Sequence, residues 1–446
     1  MNYGIISCIP TLILIIGVLK TKRMTESLFI SSLVAAILTY KQHFLTGYVE
    51  LIYESLANES FQLLLIVAAS FGGMIVLLEK SGAMFGFRKM MERHCSSAKK
   101  TLLLTSLLGA VVFIDDYLNA LAVSISMKGI SDHYKIPREH LAYTVNCMGA
   151  CICVLIPVSS WSAFAMGSLV DYGLSASDYY AAIPYMFYPF CTIIICVLLA
   201  CGKFPLIGPM KKAYERVEKG GSVVPDSSAE FSEEVLEAQD RTGSIMDFLI
   251  PMICLFVGML AFENNIVTGI LLALAAMFGL YCLKDHMPVK EFTKNFTDGI
   301  IDMVPLLFNI LLAFMIQAAN GKMGFSDFII SAFTRNINPK FLPVMAFLIV
   351  GGTAFLAASF WALIVITFPI FIPLAQSMGI EVSLVIAAIM SGVALGSQAC
   401  LYSDAIFMVA SGTEVSNEVQ FNSVLPYILI GAISAACLFL VAGLTL

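Results

Sequence analysis

The sequence predicts an all-α polytopic membrane protein made of two inverted repeats, each with five crossings plus a re-entrant hairpin and a broken helix. Three observations predict it: an apolar composition, one layout of segments found in both halves, and a one-sided distribution of basic residues. Of 446 residues, 59% are hydrophobic and only 13% charged, with mean hydropathy +0.89. A soluble chain keeps about 25% charged residues to cover its surface. Apolar runs long enough to cross ~30 Å of hydrocarbon recur from end to end. This composition excludes a soluble enzyme, and the lipid bilayer is the partner it implies. Nothing in it points to nucleic acid.

The apolar segments fall at about 4–19, 26–40, 61–79, 101–127, 141–170, 181–202, 245–262, 265–283, 300–319, 341–374, 381–411 and 425–446. No basic residue precedes the first run, and Lys20, Lys22 and Arg23 follow it, an order that suits an anchored helix with its N-terminus outside. Each half runs two spans, a short amphipathic stretch (about 43–57, then 287–298), one span, a polar connection, two long interrupted segments and a final span. Internal symmetry of this kind marks secondary transporters. The division it gives is a first repeat over 1–202, with hairpin about 101–127 and broken helix about 141–170. A polar cytoplasmic linker, partly helical, follows over 203–244. The second repeat covers 245–446, with hairpin about 341–374 and broken helix about 381–411.

Basic residues settle whether the fourth and tenth segments cross. Cytoplasmic loops are enriched in Lys and Arg. With both segments as re-entrant hairpins, 21 of the 25 basic residues fall on one side. With both crossing, the split is 12 against 13. The hairpin arrangement gives an odd number of crossings per half, inverted halves, and both termini outside a bacterial cytoplasmic membrane.

The 12 cysteines contain no CxxC pair, and 11 lie in apolar spans, where they read as packing residues and not as disulfides or metal ligands. The five histidines fall in connecting segments, which argues against a His-based metal site inside the membrane.

Polar residues in the apolar segments mark the candidate site. The first hairpin carries Asp115, Asp116 and Asn119 at its middle. A charged side chain at mid-bilayer costs about 2.5–3.5 kcal/mol, and two roughly double that. Such a pair reads as a cation- or proton-binding tip lining a cavity, or else as a tip at the cytoplasmic surface with one aspartate capping a half-helix. Spacing does not rank the two. In the fifth segment Asn146 precedes Pro157, Ser159 and Ser160. Proline frees backbone carbonyls, and these with hydroxyls and an amide are oxygen ligands that Na⁺ accepts. The second hairpin turns near Ser359, and the eleventh segment holds Gly392, Gly396, Ser397, Gln398, Ser403 and Asp404. Asp247 and Asp302 sit near span starts and read as interfacial caps. A channel needs a continuous polar pore, and an intramembrane hydrolase needs a nucleophile–base pair. Neither is visible, so no catalytic residue is assigned.

The runs Phe113-Ile114-Asp115-Asp116-Tyr117-Leu118-Asn119, Ile130 to Tyr143 and Pro157-Val158-Ser159-Ser160-Trp161 resemble the NhaC-type sodium/proton antiporters, most sharply over about 105–170. The resemblance implies an elevator-type fold of the ion-transporter superfamily, pairing as a homodimer, and Na⁺ and/or H⁺ as coupling ions with no other cofactor. Some members of that family exchange small organic acids. Two positions differ from the family's pattern: Asn146-Cys147-Met148 stands where an aspartate with Ser-Thr is expected, and Leu395-Gly396-Ser397-Gln398 stands for Phe-Gly-Asp-His. The leading expectation is therefore Na⁺/H⁺ antiport. Na⁺ or H⁺ would sit at Asp115, Asp116 and Asp404, with Asn119, Ser159, Ser160 and Ser403 supplying further oxygens. The alternative is ion-coupled movement of a small carboxylate or amino acid, contacted by Asn146, Ser359, Ser397 and Gln398.

Overall fold

The computed structural model describes residues 3–445 apart from 22, 226–243, 263–264, 284–286, 326–327, 329–337, 358–359 and 401–402. Among the described residues there is no strand. Helices α1 (Ile9–Thr21), α2 (Met24–Tyr40) and the amphipathic α3 (Phe44–Ala57) lead to α4 (Glu59–Lys80). Asn58 starts α4 by accepting from the Phe61 N–H at 3.0 Å, an N-cap that satisfies one of the first turn's orphan donors. After α5 (Ala83–His94), α6 (Ala98–Val111) and α7 (Asp116–His133) flank a non-helical break at 112–115. Next, α8 (Arg138–Leu155) and α9 (Ser160–Leu169) flank a second break at 156–159. Pro157 stands in that gap, where a residue without an N–H cannot continue the ladder.

The half closes with α10 (Ala176–Ala182) and α11 (Phe187–Ala200), and α12 (Gly208–Glu218) lies in the polar connection. In the second half come α13 (Met246–Ala261), α14 (Ile266–Cys282), α15 (Val289–Asp302) and α16 (Val304–Met323). They are followed by α17 (Leu342–Ala357), α18 (Phe360–Met378), α19 (Val382–Ala399), α20 (Asp404–Thr413) and α21 (Asn417–Thr445). Asp247 accepts from the Ser244 N–H at 2.9 Å, a capping contact at the start of α13, whereas Asp302 ends α15.

Among the described residues, five helical stretches are long and apolar enough to cross a membrane, seven if each bent pair is one span, and five further apolar helices are shorter. Large apolar side chains such as Ile194, Leu271, Leu429 and Ile433 face outward and exposed. That is how helices meet lipid and not water. The chain is thus a multi-pass membrane protein.

Helices α8, α9 and α19 are the most enclosed, buried along all or nearly all of their length. Small residues let α19 approach α17 closely: a Cβ on Gly396 would stand 2.0 Å from that of Ala354, and one on Gly392 2.9 Å from the Gly351 nitrogen. Membrane helices use small residues in this way because close backbone approach supplies dispersion contact. α7 and α20 pack together, and both touch α8.

A charged clamp joins one end of this group. Arg138, at the start of α8, holds Asp132 through Nε at 3.1 Å and Nη2 at 2.8 Å and also donates through Nη1 to Glu414, just past α20. Lys128 of α7 reaches the same Glu414 at 2.8 Å. Burial pushes the Glu414 carboxyl up, but the bonds from Lys128 and Arg138 pull it further down, below the usual glutamate value. The connection helix α12 is fastened to the same end: Arg216 grips the buried Glu139 at 2.8 and 3.0 Å. Tyr214 meets His140 Nδ1 at 2.7 Å. His140 therefore lies not in a connecting segment but in the first turn of α8, buried.

Candidate functional site

The site forms where the breaks meet. The Ser160 N–H, at the start of α9, donates to the Ile114 carbonyl in the first break at 2.8 Å. Ser160 Oγ donates to Asp115 Oδ2 at 2.7 Å, and Trp161 Nε1 donates to Asp116 Oδ1 at 3.1 Å. Both aspartates are 3% exposed, and each thus receives a donor from the broken helix. Cys153 Sγ donates to the Phe113 carbonyl at 3.4 Å, so the last turns of α8 also hold the break.

Asn119 braces the first break. Its amide nitrogen donates to the Gly109 and Val112 carbonyls, at 2.6 and 2.7 Å, where α6 runs out of N–H partners. Its Oδ1 is buried without a hydrogen-bond partner. A buried acceptor in this state usually has an occupant to meet, such as water, an ion or a ligand.

Ser159 and Ser403 play one local part at the two broken helices. Ser159 N-caps α9, accepting from the Ser162 N–H at 3.0 Å, and its hydroxyl donates to the Cys153 carbonyl six residues back. Ser403 N-caps α20, accepting from the Ile406 N–H at 3.3 Å, and its hydroxyl donates to the Ser397 carbonyl six residues back at 3.4 Å and to the Cys400 carbonyl at 3.2 Å. Each serine folds the gap shut and starts the next half-helix. Asp404 is the first residue of α20; its side chain and the whole of Ser359 lie outside the described residues.

A second polar group lies between α8 and α19. Asn146 Nδ2 donates to the Gln398 carbonyl at 3.0 Å, and the Tyr188 hydroxyl of α11 donates to Gln398 Oε1. Gln398 Nε2, Ser397 Oγ and Tyr143 OH are buried without partners. The structure thus brings Asp115, Asp116, Asn119 and Ser160 together at one place, and Asn146 and Gln398 at another.

Sequence reasoning missed Trp161 and Tyr188 as site residues. Trp161 directly follows Ser160 in a motif already singled out, so a signal existed. Tyr188 had none. Trp161 also joins the halves, stacking on Phe360 with ring centres 5.7 Å apart and touching Trp361 at the same spacing. Among the described residues no cluster of three or more His, Cys, Asp or Glu could hold a metal ion. A monovalent cation is instead served by carboxylate, amide and carbonyl oxygens. Two buried carboxylates on neighbouring residues are groups whose chemistry takes a cation or a proton.

Residues 238–444 match the Na+/H+ antiporter family. The match falls on the half opposite the motifs around Asp115 and Pro157. Over nearly its full length the chain is 23% identical to an uncharacterized protein of Haemophilus influenzae, covering 98% of this chain and 91% of that one. In fold it is similar to the Neisseria gonorrhoeae protein MtrF, described as illuminating a class of antimetabolite efflux pumps. That likeness has a TM-score of 0.63 and 14% identity and covers 90% of this chain and 84% of MtrF. It is likewise similar to the Alcanivorax borkumensis YdaH transporter, with a TM-score of 0.64 and 12% identity, over 90% and 89% of the two chains. These likenesses establish the membrane-transporter fold.

Proposed function

We propose that this chain is a secondary active transporter exchanging Na⁺ for H⁺ across a bacterial cytoplasmic membrane, with Asp115 and Asp116 as the shared ion and proton site. The observation that carries the reading is the pair of buried, adjacent carboxylates at a hairpin break, each oriented by a donor from the broken helix. Two like charges so close favour a bound cation or a proton, and one occupant excludes the other. The match of 238–444 to the Na⁺/H⁺ antiporter family supports the same chemistry.

In this reading the halves are inverted repeats, the linker over 203–244 is cytoplasmic and both termini are outside. The group α6–α9 with α17–α20 moves as one body, elevator-fashion, against the remaining helices of a homodimer. The like devices at Ser159 and Ser403 support the repeat. Asp404 completes the ion site from the second half, on the half-helix that Ser403 caps.

The test is a proteoliposome carrying a pH-sensitive dye, with a Na⁺ gradient and no organic solute. Wild type moves protons. Replacing one carboxylate by Asn removes about 4 kcal/mol of attraction at ~4 Å and an effective dielectric of about 20, roughly a thousandfold in Na⁺ affinity. Asp116→Asn and Asp404→Asn are therefore silent in the working Na⁺ range.

A second reading has its own support. The amide pair Asn146 and Gln398, with unpartnered Gln398 Nε2 and Ser397 Oγ, suits a polar organic solute better than a bare ion. Silence of wild type until an amino acid or carboxylate is added would replace the first reading by this one.

A further inference from the structure

A cavity of about 580 Å³ shares no residue with the site around Asp115 and Asp116. It lies between α3, α16 and α18, below the turn that ends α9. A few hydrated ions need far less room, since a water occupies about 30 Å³. The volume falls instead among small-molecule sites, about 300–1,000 Å³.

Much of its polar lining is already paired. Lys322 Nζ is engaged by Glu54 at 3.0 Å and Glu50 at 3.4 Å. Asn58 Nδ2 donates to Asp171 Oδ1 at 3.2 Å. Gln317 Nε2 is shared between Asp171 Oδ2 at 3.4 Å and the Tyr172 hydroxyl at 3.1 Å. Asn320 Nδ2 donates to Thr11 Oγ1 at 3.1 Å. What stays uncommitted can accept: Asn320 Oδ1, on a residue 8% exposed, and Ser55 Oγ, on a residue 2% exposed, are both buried without partners. A ligand that brings hydrogen-bond donors and positive charge suits these acceptors and the carboxylates of Glu54 and Asp171, which outnumber Lys322 on the wall. The remaining wall is apolar, including Phe314, Val365 and Pro369, and asks for a hydrocarbon body behind those donors.

We infer that this cavity is a binding vestibule for a small organic ammonium ion, its head group taken by Asn320, Ser55 and the Asp171 rim and its body laid against Phe314 and α18. Helix α18 carries Phe360 and Trp361, which meet Trp161, so an occupant touches the helix that reaches the ion site. The inference stands whether Na⁺ alone or an organic solute is moved through the protein.

The experiment is isothermal titration calorimetry on the full chain in lipid nanodiscs. Phenethylammonium is the probe, and 3-phenylpropanoate has the same body with the opposite charge. Saturable heat is expected for the ammonium and none for the carboxylate at equal millimolar concentration. Asn320→Leu and Asp171→Asn each weaken the ammonium at least tenfold, with a melting curve of each variant confirming the fold. Asp116→Asn leaves its affinity unaltered. Equal binding of both probes, no saturable heat, or unchanged affinity in both vestibule variants overturns the proposal. Loss of binding in Asp116→Asn alone also overturns it, by moving the ligand to the ion site. None of these outcomes depends on whether the Na⁺/H⁺ reading holds.

Discussion

Replacing Glu414 by Gln tests whether α7, α8 and α20 form one body. The change keeps size and shape and removes the charge that Lys128 and Arg138 share. Glu414 adopts φ 56°, a left-handed conformation costly for a non-glycine residue, but Gln bears the same strain, so it cancels in the comparison. The Glu414 side chain is 36% exposed, against 22% for Lys128 and 9% for Arg138. The Lys128 arm, open to solvent, contributes about 0.5 kcal/mol. Breaking a buried pair costs about 3–5 kcal/mol. The exposure of Glu414 and the Asp132 partner that Arg138 retains cut this arm to about 1–1.5 kcal/mol. The sum is about 1.5–2 kcal/mol, or about 2 °C for a chain of this size.

The pH dependence has a definite sign. Because the carboxyl of folded Glu414 lies below its ordinary value of 4.5, its contribution is whole above pH 4.5 and fades as pH falls through the lower folded value. Melting followed by far-ultraviolet circular dichroism in detergent therefore shows the full deficit at neutral pH. The gap narrows at acid pH below 4.5. Equal melting at neutral pH, or a deficit that acid leaves untouched, would refute the clamp.

Other substitutions probe separate parts of the fold. Trp161→Phe keeps the stack on Phe360 but deletes the donor to Asp116. A bond to a charged acceptor is worth about 1.5–3 kcal/mol, so half-saturating Na⁺ in the dye assay rises at least tenfold; an unchanged value counts against this role. Gly396→Ala drives a methyl into Ala354 and costs about 3 kcal/mol by overpacking. It lowers the melting temperature, and Ala354→Gly restores part of the loss, whereas wild-type melting would disprove the close approach. Tyr188→Phe strips Gln398 Oε1 of its hydroxyl donor at a cost of about 1–3 kcal/mol. Under the organic-solute reading it raises the KM for that solute, and an unaltered KM would remove Tyr188 from the site.

The all-helical, membrane-embedded character was legible because lipid imposes length and apolarity on each segment, and these are local properties of sequence. Pro157 was equally legible, since a missing N–H disturbs a helix wherever it falls. The carboxylates at 115 and 116 stood out because charge is rare in apolar runs. What was hidden is what depends on tertiary proximity. Tyr188 reaches Gln398 across 210 residues, and Arg138 reaches Glu414 across 276, and no local period records either meeting. Ser159, Ser160 and Ser403 stood out by their chemistry, but where each hydroxyl points was hidden: that of Ser160 meets Asp115, while those of Ser159 and Ser403 turn back to carbonyls six residues earlier. That depends on how sharply each gap bends. His140 was assigned to a connection because its neighbours are charged. Those neighbours, Arg138 and Glu139, are buried as members of ion pairs.

The chain has only two tryptophans, and they lie against one another, with Trp161 bonded to Asp116. All indole emission from the protein thus originates within one side chain of the acidic pair. An unlabelled sample carries its own optical gauge, in which a cation or proton arriving at Asp116 alters the field on the ring that emits.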